Sequence, residues 1–183
     1  MKQFLLLSLT IFLCQASIAQ DSTSGRVFKK FRTDVSLGYA SPKGGNSDGG
    51  ALFAIEPKYA ITDQIAVGLR LEVAVTVNID KNGNESKATG NGSYLLTGDY
   101  YLNTNKFRPF VGLGGGIYTL ATLDENTVLT GDNELPTDSN FGFMARTGFE
   151  YGHLRLGIEY NFLKDNTGYL GLKLGVAIGG GRR

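Results

Sequence analysis

Apolar residues recur at every second position along most of the chain, and this periodicity constrains the fold more than any other feature. In the run from residue 67 to residue 77, Val and Leu alternate with Gly, Arg, Glu, Ala and Thr. A period of two places alternate side chains on opposite faces of a β-strand. We find roughly eight such segments, each near the ~9 to 11 residues that a tilted strand needs to cross a membrane. The pattern therefore predicts an all-β protein.

Composition agrees with many short strands and excludes one class of partner. The chain has 26 Gly, 11 Phe, 9 Tyr and no Trp, and few of the Ala-, Leu-, Glu- and Lys-rich runs that are typical of helical domains. Its 18 Lys and Arg nearly balance its 17 Asp and Glu. Because this balance provides no extended positive field, we expect no nucleic-acid partner.

The first 19 residues have the pattern of a cleaved export signal peptide, so we leave them out of the fold. Lys2 precedes the apolar run Phe4–Leu13, which is too short to span a bilayer as a helix. Small residues within 17–19 form a cleavage pattern, so the mature chain is expected to begin near Gln20. Cys14 is the only cysteine and lies in the removed segment, which leaves the mature chain without a disulfide or a thiolate site.

The connections between the predicted strands alternate in length. Short links are predicted at 62–64, 103–106 and 152–153, with a brief exception at 164–167, and longer loops at 41–50, 79–91 and 122–139. Short turns on one rim and long loops on the other are typical of outer-membrane barrels, whose short side faces the periplasm. We therefore predict that residues 20–183 form a single domain, an eight-stranded antiparallel up-and-down transmembrane β-barrel.

Aromatic residues decide which face of this barrel meets lipid. Followed strand by strand, the apolar face carries aliphatic residues in the middle and rings near both ends. The rings predicted toward the long loops are Tyr39, Phe53, Tyr94, Phe141, Phe143, Phe162 and Tyr169, and those toward the short turns are Phe31, Tyr59, Tyr100, Phe149 and Tyr151. Two aromatic girdles around an aliphatic band are expected of a surface that crosses both membrane interfaces.

The opposite face carries charges whose signs nearly cancel. We refer to these side chains as the interior charges: Arg32, Asp34, Glu56, Lys58, Arg70, Glu72, Asp99, Arg108, Arg146, Glu150, Arg155, Glu159 and Lys173. A barrel of about eight strands is only wide enough for side chains to fill it. We expect these groups to form a structural, mutually paired network, for which the inward glycines leave room.

Two other functions are compatible with the same alternation. A narrow small-solute channel would use the interior charges as a gate. A secreted, lipocalin-like carrier would turn the apolar face toward an inner pocket for an apolar ligand and the charges toward water.

Several local motifs resemble binding or catalytic motifs, but their sequences favour an ordinary structural role. In Gly112-Leu-Gly-Gly-Gly-Ile117 the third glycine of a dinucleotide loop would fall on Ile117, and no helix follows, so strand glycines are favoured. His153, the only histidine, lies in a predicted turn, where no Ser and carboxylate complete a hydrolase triad. Pro57 interrupts a central strand and predicts a β-bulge.

Acidic and amide side chains in two of the predicted loops supply oxygen ligands of the type that Ca²⁺ prefers. They are Asp80, Asn82, Asn84, Glu85, Asp124, Glu125, Asp132, Glu134 and Asp138. The glycine that a calcium loop needs at its sixth position is Glu85 here, so hydrated surface loops are favoured. We predict no metal and no cofactor.

The chain resembles the small outer-membrane β-barrel proteins of the OmpX, OmpA-barrel and OmpW type, in particular the broad outer membrane protein beta-barrel domain family. The resemblance rests on the signal ending Ser17-Ile18-Ala19-Gln20, on the alternating strands, and on the last segment from Tyr169 to Gly179. It implies a bacterial outer-membrane location. Members differ in role, from membrane integrity and adhesion to small-solute passage.

Taken together, the residues and the resemblance favour a structural or surface-interaction protein of the outer membrane and not an enzyme. The expected partners are outer-membrane lipids, the outer-membrane assembly machinery, and an extracellular ligand or surface met by loops 41–50, 79–91 and 122–139. We expect the barrel to be a monomer.

Overall fold

The computed structural model describes residues 26–42, 49–79, 86–123, 137–163 and 168–181, which form a closed barrel of eight antiparallel strands. Each strand pairs with the next one in sequence, and the last pairs with the first. The strands are β1 Phe31–Pro42, β2 Gly50–Ala60, β3 Ile65–Ile79, β4 Ser86–Tyr101, β5 Phe107–Leu123, β6 Thr137–Tyr151, β7 Leu154–Phe162 and β8 Tyr169–Gly179. The described part of the chain contains no helix that is long and apolar enough to span a membrane.

The predicted eight-stranded up-and-down barrel is confirmed, and its central strands are longer than predicted. β4 begins at Ser86 and β6 at Thr137, so parts of the predicted loops 79–91 and 122–139 are strand. The polar sequences of these segments predicted loops, but strand pairing does not need apolar side chains. It continues beyond the part of the barrel that contacts lipid. Residues 43–48, 80–85 and 124–136, and the predicted signal peptide, lie outside the described residues.

The short links gather at one end of the barrel, together with the residues that precede β1 and follow β8. The link 61–64 is tied by Thr62 Oγ1, which accepts hydrogen bonds from the backbone N–H groups of Gln64 and Ile65 at 3.2 and 2.9 Å. The turn between β6 and β7 consists of two residues, and its Gly152 has a φ of 63°, the left-handed region that favours glycine. We call this end the turn end, and the opposite one the loop end.

The bulge predicted at Pro57 is wrong. β2 and β3 keep one register on both sides of the proline, from Ile55 opposite Leu71 to Lys58 opposite Gly68, so no extra residue is inserted. Toward β1 the ladder also continues, with Thr33 opposite Pro57. The missing N–H of proline interrupts the pairing with β3 at Glu56 and Pro57, and the register is the same on both sides of this gap.

The exterior of the barrel is apolar, as the aromatic girdles and the aliphatic band predict. Leu69, Leu96 and Leu113 are 62%, 66% and 70% exposed. One ring is an exception: Tyr169, predicted in the outer girdle, is buried inside. Tyr169 has the same parity along β8 as Lys173, whereas Leu170, which follows it, points outward, so strand geometry and not chemistry determines its face.

Candidate functional site: the charged barrel interior

The structure places all thirteen interior charges inside the barrel, each at most 9% exposed. Their position follows from parity, because along each strand they alternate with the exposed apolar side chains. The interior therefore has the opposite polarity to the core of a soluble barrel. This arrangement does not suit a soluble carrier of an apolar ligand, which would need an apolar pocket and a polar exterior.

Inward glycines provide the room for these long side chains. A Cβ atom at Gly112 would lie 2.2 Å from Asp99 Oδ1 and 3.0 Å from Arg146 Nε, so a larger residue there would collide with the charges. Gly98, next to Asp99 but pointing outward, would place a Cβ atom in open space. The glycine-rich segment of β5 is therefore part of the packing of the interior.

Nine of the interior charges form one cluster toward the turn end. We call it the turn-end cluster, and it contains Arg32, Asp34, Glu56, Lys58, Asp99, Arg108, Arg146, Glu150 and Arg155.

Glu150 joins three cations of this cluster. Its carboxylate lies 2.6 Å from Arg32, 2.7 Å from Arg108 and 2.5 Å from Arg155. The hydroxyl of Tyr101 donates a further hydrogen bond to Glu150 at 2.6 Å. Glu150 is 1% exposed, so these four partners replace its hydration.

Asp99 is a second junction of the turn-end cluster. Lys58 Nζ, Arg146 Nε and Arg155 Nη2 lie 2.6, 2.8 and 2.9 Å from its oxygens. Arg146 also donates to both carboxylate oxygens of Glu56, at 2.8 and 2.6 Å. Such two-point contacts fix the guanidinium plane as well as its position.

The remaining four interior charges form a closed ring nearer the loop end, the loop-end cluster: Arg70, Glu72, Glu159 and Lys173. Arg70 donates to both oxygens of Glu159, at 2.7 and 2.5 Å, and Lys173 contacts Glu159 at 2.6 Å. Glu72 pairs with both cations and accepts a hydrogen bond from Tyr169 Oη at 2.5 Å. A small cavity of about 30 Å³ lies beside the two clusters and has Asp34 and Lys173 in its lining.

Apolar and aromatic side chains close the interior at the loop end. A buried layer there consists of Ala40, Leu52, Ala54, Ala74, Leu95, Tyr118, Met144 and Tyr169. The hydroxyl of Tyr118 donates to Asn161 Oδ1 at 2.7 Å, so the layer has a polar link toward the charges. Sequence reasoning did not single out this layer, although the parity of each strand points these residues inward.

The turn end is crossed by residues 26–30, which we call the strap. Its backbone N–H groups at Val27 and Phe28 each donate to Asp63 at 3.2 Å, and that of Lys29 donates to Gly180 O at 3.3 Å. The Phe28 ring is buried, and its centroid lies 4.0 Å from the guanidinium carbon of Arg108. The strap therefore covers part of the charged interior.

The strap was not predicted, because nothing local in residues 26–30 indicates a partner in the link 61–64. The other singled-out residues fall into two groups. His153 lies in the predicted turn, where its Nδ1 donates to the backbone carbonyl of Ala177 at 2.8 Å. The acidic loop residues from 80 to 134 lie outside the described residues, whereas Asp138 is exposed on β6.

Comparison of the whole barrel with solved structures identifies its fold. Neisserial surface protein A matches with a TM-score of 0.65 and 15% identity, over 83% of this chain and 98% of that one. Ail, the attachment invasion locus protein of Yersinia pestis, matches with a TM-score of 0.53 and 13% identity, over 86% and 99%. The N-terminal β-barrel domain of Pseudomonas aeruginosa OprF matches with a TM-score of 0.50 and 12% identity, over 85% and 100%.

No family model matches the sequence, and no curated protein matches it. The structural matches cover nearly the full length of each solved barrel, so the resemblance inferred from the sequence is confirmed at the level of fold. The chain has the transmembrane β-barrel fold of the small outer-membrane proteins. At these identities, what the protein does must be argued from its own residues.

Neutralising the Glu150 junction should destabilise the barrel strongly. In Glu150→Gln, Arg32, Arg108 and Arg155 lose a shared buried anion, and the expected loss is about 3–5 kcal/mol in the free energy of unfolding. Reversible urea unfolding in lipid vesicles measures it. The matched control is Asp138→Asn, which removes an exposed carboxylate from the same strand and should change the free energy by less than about 0.5 kcal/mol. Equal effects of the two variants would contradict this role of Glu150.

Proposed function

We propose that this protein is a resident of the bacterial outer membrane with a structural or surface-interaction role and a filled interior that conducts no solute. The observation that carries the proposal is the interior itself. Two clusters of paired charges occupy it, with an apolar layer on one side and the Phe28 strap on the other. A wall of exposed aliphatic and aromatic side chains outside supports a lipid environment.

The orientation in the membrane follows from the links. Short turns in barrels of this type face the periplasm, and longer loops face the outside. The turn end, with the strap, would then lie in the periplasm, and the predicted loops 41–50, 79–91 and 122–139 would meet the environment. The proposal includes outer-membrane lipids and the assembly machinery as partners, a monomeric barrel and no catalytic role.

A surface-interaction role has support from one structural match. Ail has been crystallised in complex with the heparin analogue sucrose octasulfate, and that barrel has the fold described here, with a TM-score of 0.52. The same fold thus occurs in complex with a ligand in another protein. For this chain we propose the loop end as the interacting surface.

Accessibility in whole cells tests the proposed location and orientation. The predicted mature chain has no cysteine, so Asp138→Cys near the loop end and Asn105→Cys at the turn end each introduce a single thiol, at positions that are both exposed. A membrane-impermeant maleimide should label Asp138→Cys in intact cells, and Asn105→Cys only after the outer membrane is permeabilised. Labelling of Asn105→Cys alone in intact cells would refute the orientation.

Conductance separates the filled barrel from the narrow channel. Purified protein in a planar bilayer should show no sustained single-channel steps, because the interior charges are paired and closely packed. Heat-modifiable migration of the same preparation on a gel provides the control that the barrel is folded. Sustained steps that disappear in Arg70→Gln or Glu72→Gln would instead establish the channel.

A further inference from the structure

The turn end contains a second cavity that the filled interior does not explain. It has a volume of about 250 Å³, compared with about 30 Å³ for the cavity beside the charge clusters. We call it the turn-end pocket, and its lining residues are Phe28, Arg32, Asn105, Lys106, Arg108, Gly152, His153, Ala177 and Gly179 to Gly181. Among the described residues, this lining has three permanent cations, Arg32, Lys106 and Arg108, and no Asp or Glu.

Two cations that line this pocket, Arg108 and Lys106, have N–H groups without a hydrogen-bond partner among the described residues. Arg108 contacts Glu150 through Nε and Nη2, at 2.9 and 2.7 Å. Its Nη1 has no hydrogen bond to another described residue. Lys106 Nζ lies 5.0 Å from the ring centroid of the exposed Tyr151, a weak cation–π contact that a bound anion can replace, and it makes no salt bridge within the described chain. His153 Nδ1 donates to a backbone carbonyl, so Nε2 of the neutral ring is an acceptor, which suits a hydroxyl of a monoprotonated phosphate or of a headgroup.

The charge beneath the pocket also favours an anion. The turn-end cluster contains five cations and four anions, so it has one positive charge in excess. Arg32 and Arg108 belong both to this cluster and to the pocket wall. An anion in the pocket would offset the excess where the surrounding barrel strengthens electrostatic attraction.

Backbone geometry keeps the pocket open. Gly180 has a φ of 70°, and a Cβ atom at this position would lie 2.6 Å from Cβ of Arg32. Any other residue would therefore be strained and would crowd the arginine. Gly180 thus keeps the cavity volume open beside the arginine that lines it.

We infer that the turn-end pocket binds a phosphate-type oxyanion between Arg108, Lys106 and His153, a role beyond the structural or surface function proposed above. The planar guanidinium of Arg108 fits phosphate oxygens, and Lys106 adds a mobile cation. The phosphate could belong to a soluble phosphate ester or to a phospholipid headgroup of the inner leaflet. Both sources offer the same group to the pocket.

The sole histidine of the chain provides the readout. In untagged protein labelled with ¹³C-histidine, His153 gives a single imidazole signal, because the chain contains one histidine. At constant pH and ionic strength, inorganic phosphate added to the folded barrel in a zwitterionic detergent should shift this signal saturably. Lys106→Gln should weaken the binding about tenfold or more, as expected for the loss of a charge-assisted hydrogen bond.

Lys29→Gln is the matched control, since Lys29 lies on the strap but does not line the turn-end pocket. This variant should leave the phosphate affinity within about twofold of the unmodified protein, because Lys29 is exposed to solvent and does not line the pocket, so its charge contributes little to an anion bound there. Equal weakening in the two variants would show attraction to the turn end as a whole and would overturn the inferred site.

Lipid nanodiscs distinguish the two sources. If the phosphate is a headgroup, nanodiscs with phosphatidylglycerol should shift the His153 signal relative to phosphatidylcholine, and Lys106→Gln should abolish the difference. If it is soluble, inorganic phosphate should act equally in both lipids. The inference is overturned if neither inorganic phosphate nor phosphatidylglycerol shifts the signal in a manner that depends on Lys106.

Discussion

The pairing of charges inside a cylinder too narrow to hydrate them is the interaction on which the rest of this structure depends. Removing an ion from water costs several kcal/mol even after the protein relaxes, so each interior charge needs a partner at close range. Glu150 and Asp99 meet this requirement by each contacting three cations. Because those partners come from several strands, the pairs also tie opposite walls of the barrel together.

The exterior and the interior are two consequences of one alternation. A strand that turns every second side chain toward lipid must turn the others toward the lumen. Because the apolar side chains lie on the exterior, polar and charged side chains can occupy the interior. Long Arg and Lys side chains fit there only because residues such as Gly112 leave space beside them. An interior packed in this way stabilises the cylinder and leaves the rims for interactions.

Local sequence patterns predicted the features that depend on parity, and missed those that depend on distant contacts. The alternation placed Arg70 and Glu72 on the inward face, but it could not show that Glu159 and Lys173 join them in a separate ring. Tyr169 was misplaced because ring chemistry was weighed above its parity with Lys173. The strap went unpredicted since its partner, Asp63, lies more than thirty residues away in the chain.

Fluorescence quenching by lipid tests the central claim most directly, because the chain has no Trp of its own. Two neighbours on β5 form the matched pair: Ile117 is 52% exposed on the exterior, and Tyr118 is fully buried inside. In vesicles whose acyl chains carry bromine, Ile117→Trp should be quenched strongly and Tyr118→Trp only weakly. Strong quenching of Tyr118→Trp with little effect on Ile117→Trp would contradict an apolar wall facing lipid around a charged interior.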